Sequence, residues 1–165
     1  VEGVRGVLNS TTNYILSLME GGLTYEDALR RAIEEELAEP DPSIDVDGWD
    51  AAAKLTILLN VLGVEASLND VERVSLSEAA ETRKVGGSVG RLKYVAEAAL
   101  ESREFVVRPV VLEAGDRISR VSGIINAVEF LLEGEVIYVE GPAGPAWRTA
   151  KVMITDLFEY MGRWR

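Results

Sequence analysis

The chain has 165 residues, of which 47% are hydrophobic and 27% charged, with a formal net charge of −11 and neither cysteine nor histidine. This is about one domain's length, with enough apolar content for a core without disulfides, and the surplus negative charge argues against nucleic acid or an anionic membrane as a partner. The missing residue types exclude a Ser-His-Asp triad, a thiolate nucleophile and a zinc–thiolate site, so any proton transfer must use Lys, Tyr, Asp or Glu. No apolar run approaches the ~20 residues of a membrane span and the start lacks a signal-peptide layout, so a cytoplasmic protein is expected. No repeat or linker divides residues 1–165, which read as one domain.

In chain order, VEGVRGVL at 1–8 is a short apolar strand or lead-in. Ser10, Thr11, Thr12 and Asn13 are all capable N-caps for a helix carrying Tyr14, Ile15, Leu18 and Met19 at helical spacing, until Gly21 and Gly22 stop it. Thr24 caps a second helix, with Glu26 and Asp27 in its first turn and Ala28, Leu29, Ala32 and Ile33 on its buried face; Pro40 and Pro42 are expected to end it. A third helix is predicted over 49–62, between Gly48 and Gly63. The second half carries strand-like runs at 91–96, 105–112, 125–132 and 136–140, with Glu133-Gly134 as a hairpin turn between the last two. A closing helix over 148–161 is expected to pack on that sheet. Helices first and strands later give an α+β class, a mixed or antiparallel sheet with helices packed mainly on one face.

One stretch invites a chemical reading. EPDPSIDVDGWDAAAK, residues 39–54, places the carboxylates Glu39, Asp41, Asp45, Asp47 and Asp50 ahead of the single amine of Lys54. On a helix over 49–62, Asp50 and Lys54 stand at i and i+4 and share a face. An exposed pair of that kind contributes only ~0.3–0.5 kcal/mol and carries no function. Here, however, LTILL follows Lys54 and a proline-stiffened acidic loop lies before it, so the excess negative charge favours a protonated lysine, suited to giving a proton to a developing alkoxide. A calcium-loop reading of SIDVDG fails, because setting Gly48 at the loop's sixth position puts Lys54 where a bidentate Glu is required.

GVLNSTTNYILSLME, AEPDPSIDVDGWDAAAKLTIL and RVSGIINAVEF…GPAGPAWRTA, in that order, resemble the substrate-binding, catalytic domain of homoserine dehydrogenases over nearly the whole chain. The resemblance implies NAD(P)-dependent interconversion of L-aspartate 4-semialdehyde and L-homoserine, on the route to threonine and methionine. It implies Lys54 as proton donor with Asp50 beside it, and Glu39, Asp45, Asp50 and Thr12 as substrate contacts. NADP or NAD would meet Gly144 and Thr11, and would be held mainly by an N-terminal Rossmann domain in cis or trans. A small amino-acid substrate and a homodimer through the β-rich region 124–139 are implied as partners. The backbone N–H groups of Thr11, Thr12 and Asn13 could face substrate or cofactor, or these residues could simply cap a helix.

Some positions depart from the family pattern. No GxGxxG occurs in the sequence, Ser10 replaces the glycine of NGTTN, and Glu36 replaces a glycine expected to approach the cofactor. A non-catalytic amino-acid-binding or interaction module is therefore kept as the second function class, favoured if Lys54 is walled off from Asp50 and Glu39.

Overall fold

The computed structural model describes residues 1–78, 90–143 and 146–162. Its elements are β1 (Gly3–Val7), α1 (Ser10–Glu20), α2 (Tyr25–Glu34), α3 (Ser43–Val46), α4 (Trp49–Val61), β2 (Glu72–Arg73), β3 (Arg91–Ala99), β4 (Glu104–Leu112), β5 (Ile125–Leu132), β6 (Glu135–Pro142) and α5 (Ala146–Gly162). The strands form one six-stranded sheet in the order β2-β4-β3-β1-β5-β6. Among the described residues only the β2–β4 pair is parallel, so the sheet is mixed. The α+β class with helices on one face is what the molecule adopts.

The opening segment takes the central position, with β1 pairing β3 on one side and β5 on the other. Alternation along the strands sets the two faces. Val4, Leu92, Tyr94, Ala96, Ala98, Phe105 and Val107 face the helices and join Ile15, Leu16, Leu55 and Leu59 in the main core. Each of those four helical side chains is fully buried, a contribution of about 1.5–3 kcal/mol apiece. On the opposite face Val7, Val95, Leu112, Ile118, Val121 and Ala127 form a smaller core, covered by the loop between β4 and β5. At the same strand positions Arg5 pairs with Glu129 at 2.7 Å and with Asp116 at 3.0 Å.

Three expectations about the helices need correction. The cap of α1 is Asn9, whose side chain accepts from Thr12 N, while Ser10 to Asn13 all lie inside the helix. The prolines do not end α2; it stops at Glu34, and Glu36 then takes a left-handed φ of 58°. The closing helix forms, but its apolar residues Val152, Met153, Ile154, Leu157, Phe158 and Met161 are all more than half exposed, so they do not pack on the sheet. The hairpin matches its sequence signal: Leu132 pairs with Glu135 across Glu133-Gly134, and Gly134 supplies φ 74°. Among the described residues no helix is long and apolar enough to cross a membrane.

Candidate active site

The helix N-termini of α1 and α4 meet at one side chain. Asn9 ends the short link from β1, is 3% exposed, and uses its amide in two directions. Its Oδ1 accepts from Thr12 N at 2.8 Å and from Thr12 Oγ1 at 3.0 Å, capping α1. Its Nδ2 donates to Asp45 Oδ1 at 2.6 Å and to Asp50 Oδ2 at 2.7 Å. Two carboxylates on separate elements are thereby held against one donor group, where bare they would repel.

Asp50 Oδ2 also accepts from Lys54 Nζ at 2.6 Å, and Lys54 donates a second hydrogen bond to Leu8 O at 3.1 Å. The i,i+4 pair therefore forms, but as one limb of a network that spans the end of β1, α3 and α4. Lys54 keeps 45% of its side chain exposed and Asp50 28%, so the pair is accessible from outside. Lys54 has three N–H donors, and two of them are used by these acceptors among the described residues.

The turn before α4 sets this geometry. Gly48 precedes the helix at φ 80°, a left-handed conformation that favours glycine, and a Cβ there would lie 2.5 Å from the Tyr94 hydroxyl. Tyr94 is 2% exposed and donates to Val74 O at 2.8 Å. Burial, then the nearby charge of Asp47, pushes its hydroxyl well above the usual tyrosine range, so it remains a donor at neutral pH. From the other side Arg73 of β2 lies over the Trp49 ring at 3.7 Å, on the first residue of α4.

The five acids of the loop divide. Asp47 accepts from Ser75 Oγ at 2.8 Å and fixes the loop to the segment after β2, while Asp41 accepts from Ser43 N at 3.1 Å, and its hydrogen bonds with Ser43 hold it below the usual carboxylate range. Glu39 is exposed and lines a cleft of about 530 Å³ with Asp45, Glu36, Leu37 and Pro40. Asp45 thus stands between that cleft and the Asn9–Asp50–Lys54 network.

Thr11 and Thr12 both lie in the first turn of α1. Thr12 is 0% exposed and its hydroxyl is committed to Asn9, so its side chain supports the cap of α1. Thr11 is 6% exposed and donates its hydroxyl to Leu37 O at 2.9 Å, tying α1 to the wall of the Glu39 cleft. Gly144 lies outside the described residues, but Gly141, Pro142 and Ala143 just before it line a second cleft of about 310 Å³ with Leu8, Asn126, Val128 and Val139.

Two site residues, Asn9 and Asn126, escaped sequence reasoning. Asn9 precedes a helix and has the composition of an ordinary cap; its reach to residues 36 and 41 positions later has no local signature. Asn126 sits inside an apolar strand run, where a lone polar residue was the available signal, and donates to Leu8 O at 3.2 Å.

The sequence profile of the family described as homoserine dehydrogenase matches residues 1–158. A homoserine dehydrogenase of Sulfurisphaera tokodaii is 36% identical over 155 residues, 93% of this chain and 48% of the relative. An NAD(+)-dependent homoserine dehydrogenase of Pseudomonas canavaninivorans is 32% identical over 165 residues, covering 95% of this chain and 47% of that protein. Among solved structures, a hyperthermophilic archaeal homoserine dehydrogenase in complex with NADPH superposes with a TM-score of 0.80 at 28% identity, over 98% of this chain and 48% of that one. The chain spans about half the length of the curated relatives it matches.

Proposed function

Since the chain belongs to the homoserine dehydrogenase family, we propose that it forms the substrate-binding and catalytic part of an NAD(P)-dependent enzyme interconverting L-homoserine and L-aspartate 4-semialdehyde. The observation that carries this reading is the accessible Asp50–Lys54 pair, anchored by Asn9 and Leu8 O, beside a cleft lined by Glu39 and Asp45. Lys54 gives a proton to the aldehyde oxygen during reduction and takes it back during oxidation. Asp50 keeps the ammonium in place, and its second oxygen, which accepts no hydrogen bond among the described residues, shares the substrate's own ammonium with Glu39 and Asp45.

The cleft lined by Leu8, Val128, Val139, Gly141, Pro142 and Ala143 fits a flat, weakly polar nicotinamide. It is largely apolar and borders the carbonyl that holds Lys54. When bound, the nicotinamide donates or accepts the hydride. With no GxGxxG in the chain, the pyrophosphate falls to a Rossmann domain, in cis or trans. The open edge of β6, with Val136, Ile137 and Val139 exposed, suits a homodimer built on the sheet.

A second reading, a non-catalytic amino-acid-binding relative, is favoured by Glu36, which brings a third carboxylate to the Glu39 cleft from a left-handed backbone position. One experiment separates the two: homoserine-dependent NAD(P)⁺ reduction by the protein at its full natural length. Lys54→Ala should lose roughly 10²–10⁴ in kcat with homoserine affinity less affected. A wild-type protein that binds homoserine without turnover favours the non-catalytic reading, and a Lys54→Ala variant of undiminished kcat removes the lysine as the acid.

A further inference from the structure

Val7 and Ala127 form the last backbone pair between β1 and β5, and beyond it the ladder continues through a side chain. Asn126 donates Nδ2 to Leu8 O at 3.2 Å, and the same carbonyl accepts from Lys54 Nζ at 3.1 Å. A carbonyl oxygen carries two lone pairs, so one amide and one ammonium fill its capacity. Turning the Asn126 amide over would set its Oδ1 against Leu8 O, so this hydrogen bond fixes the orientation. In that orientation Oδ1 is buried and accepts no hydrogen bond among the described residues. A buried acceptor left unpaired bears its desolvation cost uncompensated, and a leucine between Ile125 and Ala127 would avoid it. What the asparagine supplies and a leucine cannot is the N–H on Leu8 O.

We propose that Asn126 is a positioning residue for Lys54. By pinning the Leu8 carbonyl it fixes one of the two acceptors that hold the lysine ammonium, Asp50 Oδ2 being the other, and so directs the remaining N–H toward the reacting oxygen. The assignment rests on the reading of Lys54 as the proton donor. It requires no contact between Asn126 and substrate, and it predicts an effect on kcat rather than on KM. A carboxylate at position 126 has no N–H for Leu8 O, but it would set a negative charge near Nζ and make Lys54 hold its proton more tightly.

The test compares Asn126→Leu, Asn126→Asp and Lys54→Ala in the protein at its full natural length. Asn126→Leu should melt no lower than wild type, lose about tenfold in kcat for homoserine oxidation, and keep KM within about threefold. Asn126→Asp should move the pH–rate profile to higher pH. Acetylation of Lys54 by an N-hydroxysuccinimide ester, followed by mass spectrometry across pH, reads the same shift with no cofactor present. Wild-type kcat, pH–rate profile and acetylation profile in both Asn126 variants, with Lys54→Ala inactive, would overturn the positioning role and leave the lysine's role standing. An active Lys54→Ala would instead remove the reading beneath it. Should Asn126→Leu fail to fold, Asn126→Asp and its acetylation profile decide the matter alone.

Discussion

At Asn9 a single amide does work that no other side chain could duplicate. A cap needs an acceptor for Thr12 N, and two converging carboxylates need donors; only Asn presents both ends at this reach. Aspartate is nearly isosteric and caps a helix as well, so Asn9→Asp separates the two roles. It retains the acceptor for Thr12 but sets a third carboxylate at hydrogen-bond distance from Asp45 and Asp50. At neutral pH the variant should be destabilised by about 3–5 kcal/mol, the range for a buried charge without its partner. The sign with pH follows from proton uptake: the folded cluster binds a proton more tightly than the unfolded chain, so stability relative to wild type recovers as pH falls toward about 4. Urea denaturation at both pH values checks this, and a pH-independent deficit would mean that the amide's donors do not matter. The acidic loop itself was legible from sequence, as was the Asp50–Lys54 spacing. The resemblance singled out Asp45, but composition could not, because Asp41, Asp45 and Asp47 have the same signal and are sorted by Ser43, Asn9 and Ser75, whose positions depend on the fold.

At the level of elements, the caps and breakers divide into those the local chain decides and those tertiary packing decides. Thr24, Gly21 and the Glu133-Gly134 turn act through neighbours within a few residues, and their readings held. The four-residue α3 was missed because a proline at its cap and an acid, Asp45, within it resemble a loop. The end of α2 was misplaced because a left-handed glutamate, Glu36, ends the helix where no glycine announces it. Glu36 and Gly48 therefore make opposite predictions from one physical cause. Glu36→Gly relieves a left-handed residue and should stabilise the fold by about 1 kcal/mol. Gly48→Ala introduces the same strain and adds a methyl 2.5 Å from the Tyr94 hydroxyl, so it should cost roughly 2–3 kcal/mol and displace Asp50 as well. Denaturant midpoints of the two variants measure the signs. Loss of homoserine turnover in Gly48→Ala under conditions where it stays folded would trace the path from the turn to Lys54.

Across the whole molecule, apolar surface is distributed unevenly. The helix-side face of the sheet is covered by α1 over β3 and β5, and by α4 over β3 and β4, while β6 lies beyond both. Its Ile137 and Val139 stand opposite Phe130 and Val128, continuing an apolar face that ends in solvent at 48% and 54% exposure. The strand is also the sheet's edge, and its residues between Glu135 and Glu140 carry no lysine or proline of the kind that blunts such edges. An apolar face of this kind, continuous with an open ladder, favours association with a second copy about a two-fold axis, strand against strand. The 165-residue chain should therefore sediment as a dimer or larger at micromolar concentration. Ile137→Lys places a charge in the middle of that face, away from Lys54 and its network, and should shift the chain toward monomer without lowering its denaturation midpoint. Val61 supplies the control: it is 79% exposed at the end of α4, so Val61→Lys removes comparable apolar surface from a place with no open ladder and should leave association unchanged. Sedimentation velocity on the three proteins decides between edge-directed pairing and general stickiness. Equal dissociation by both lysines, or a wild-type chain monomeric at all concentrations, would reject the β6 edge as the interface.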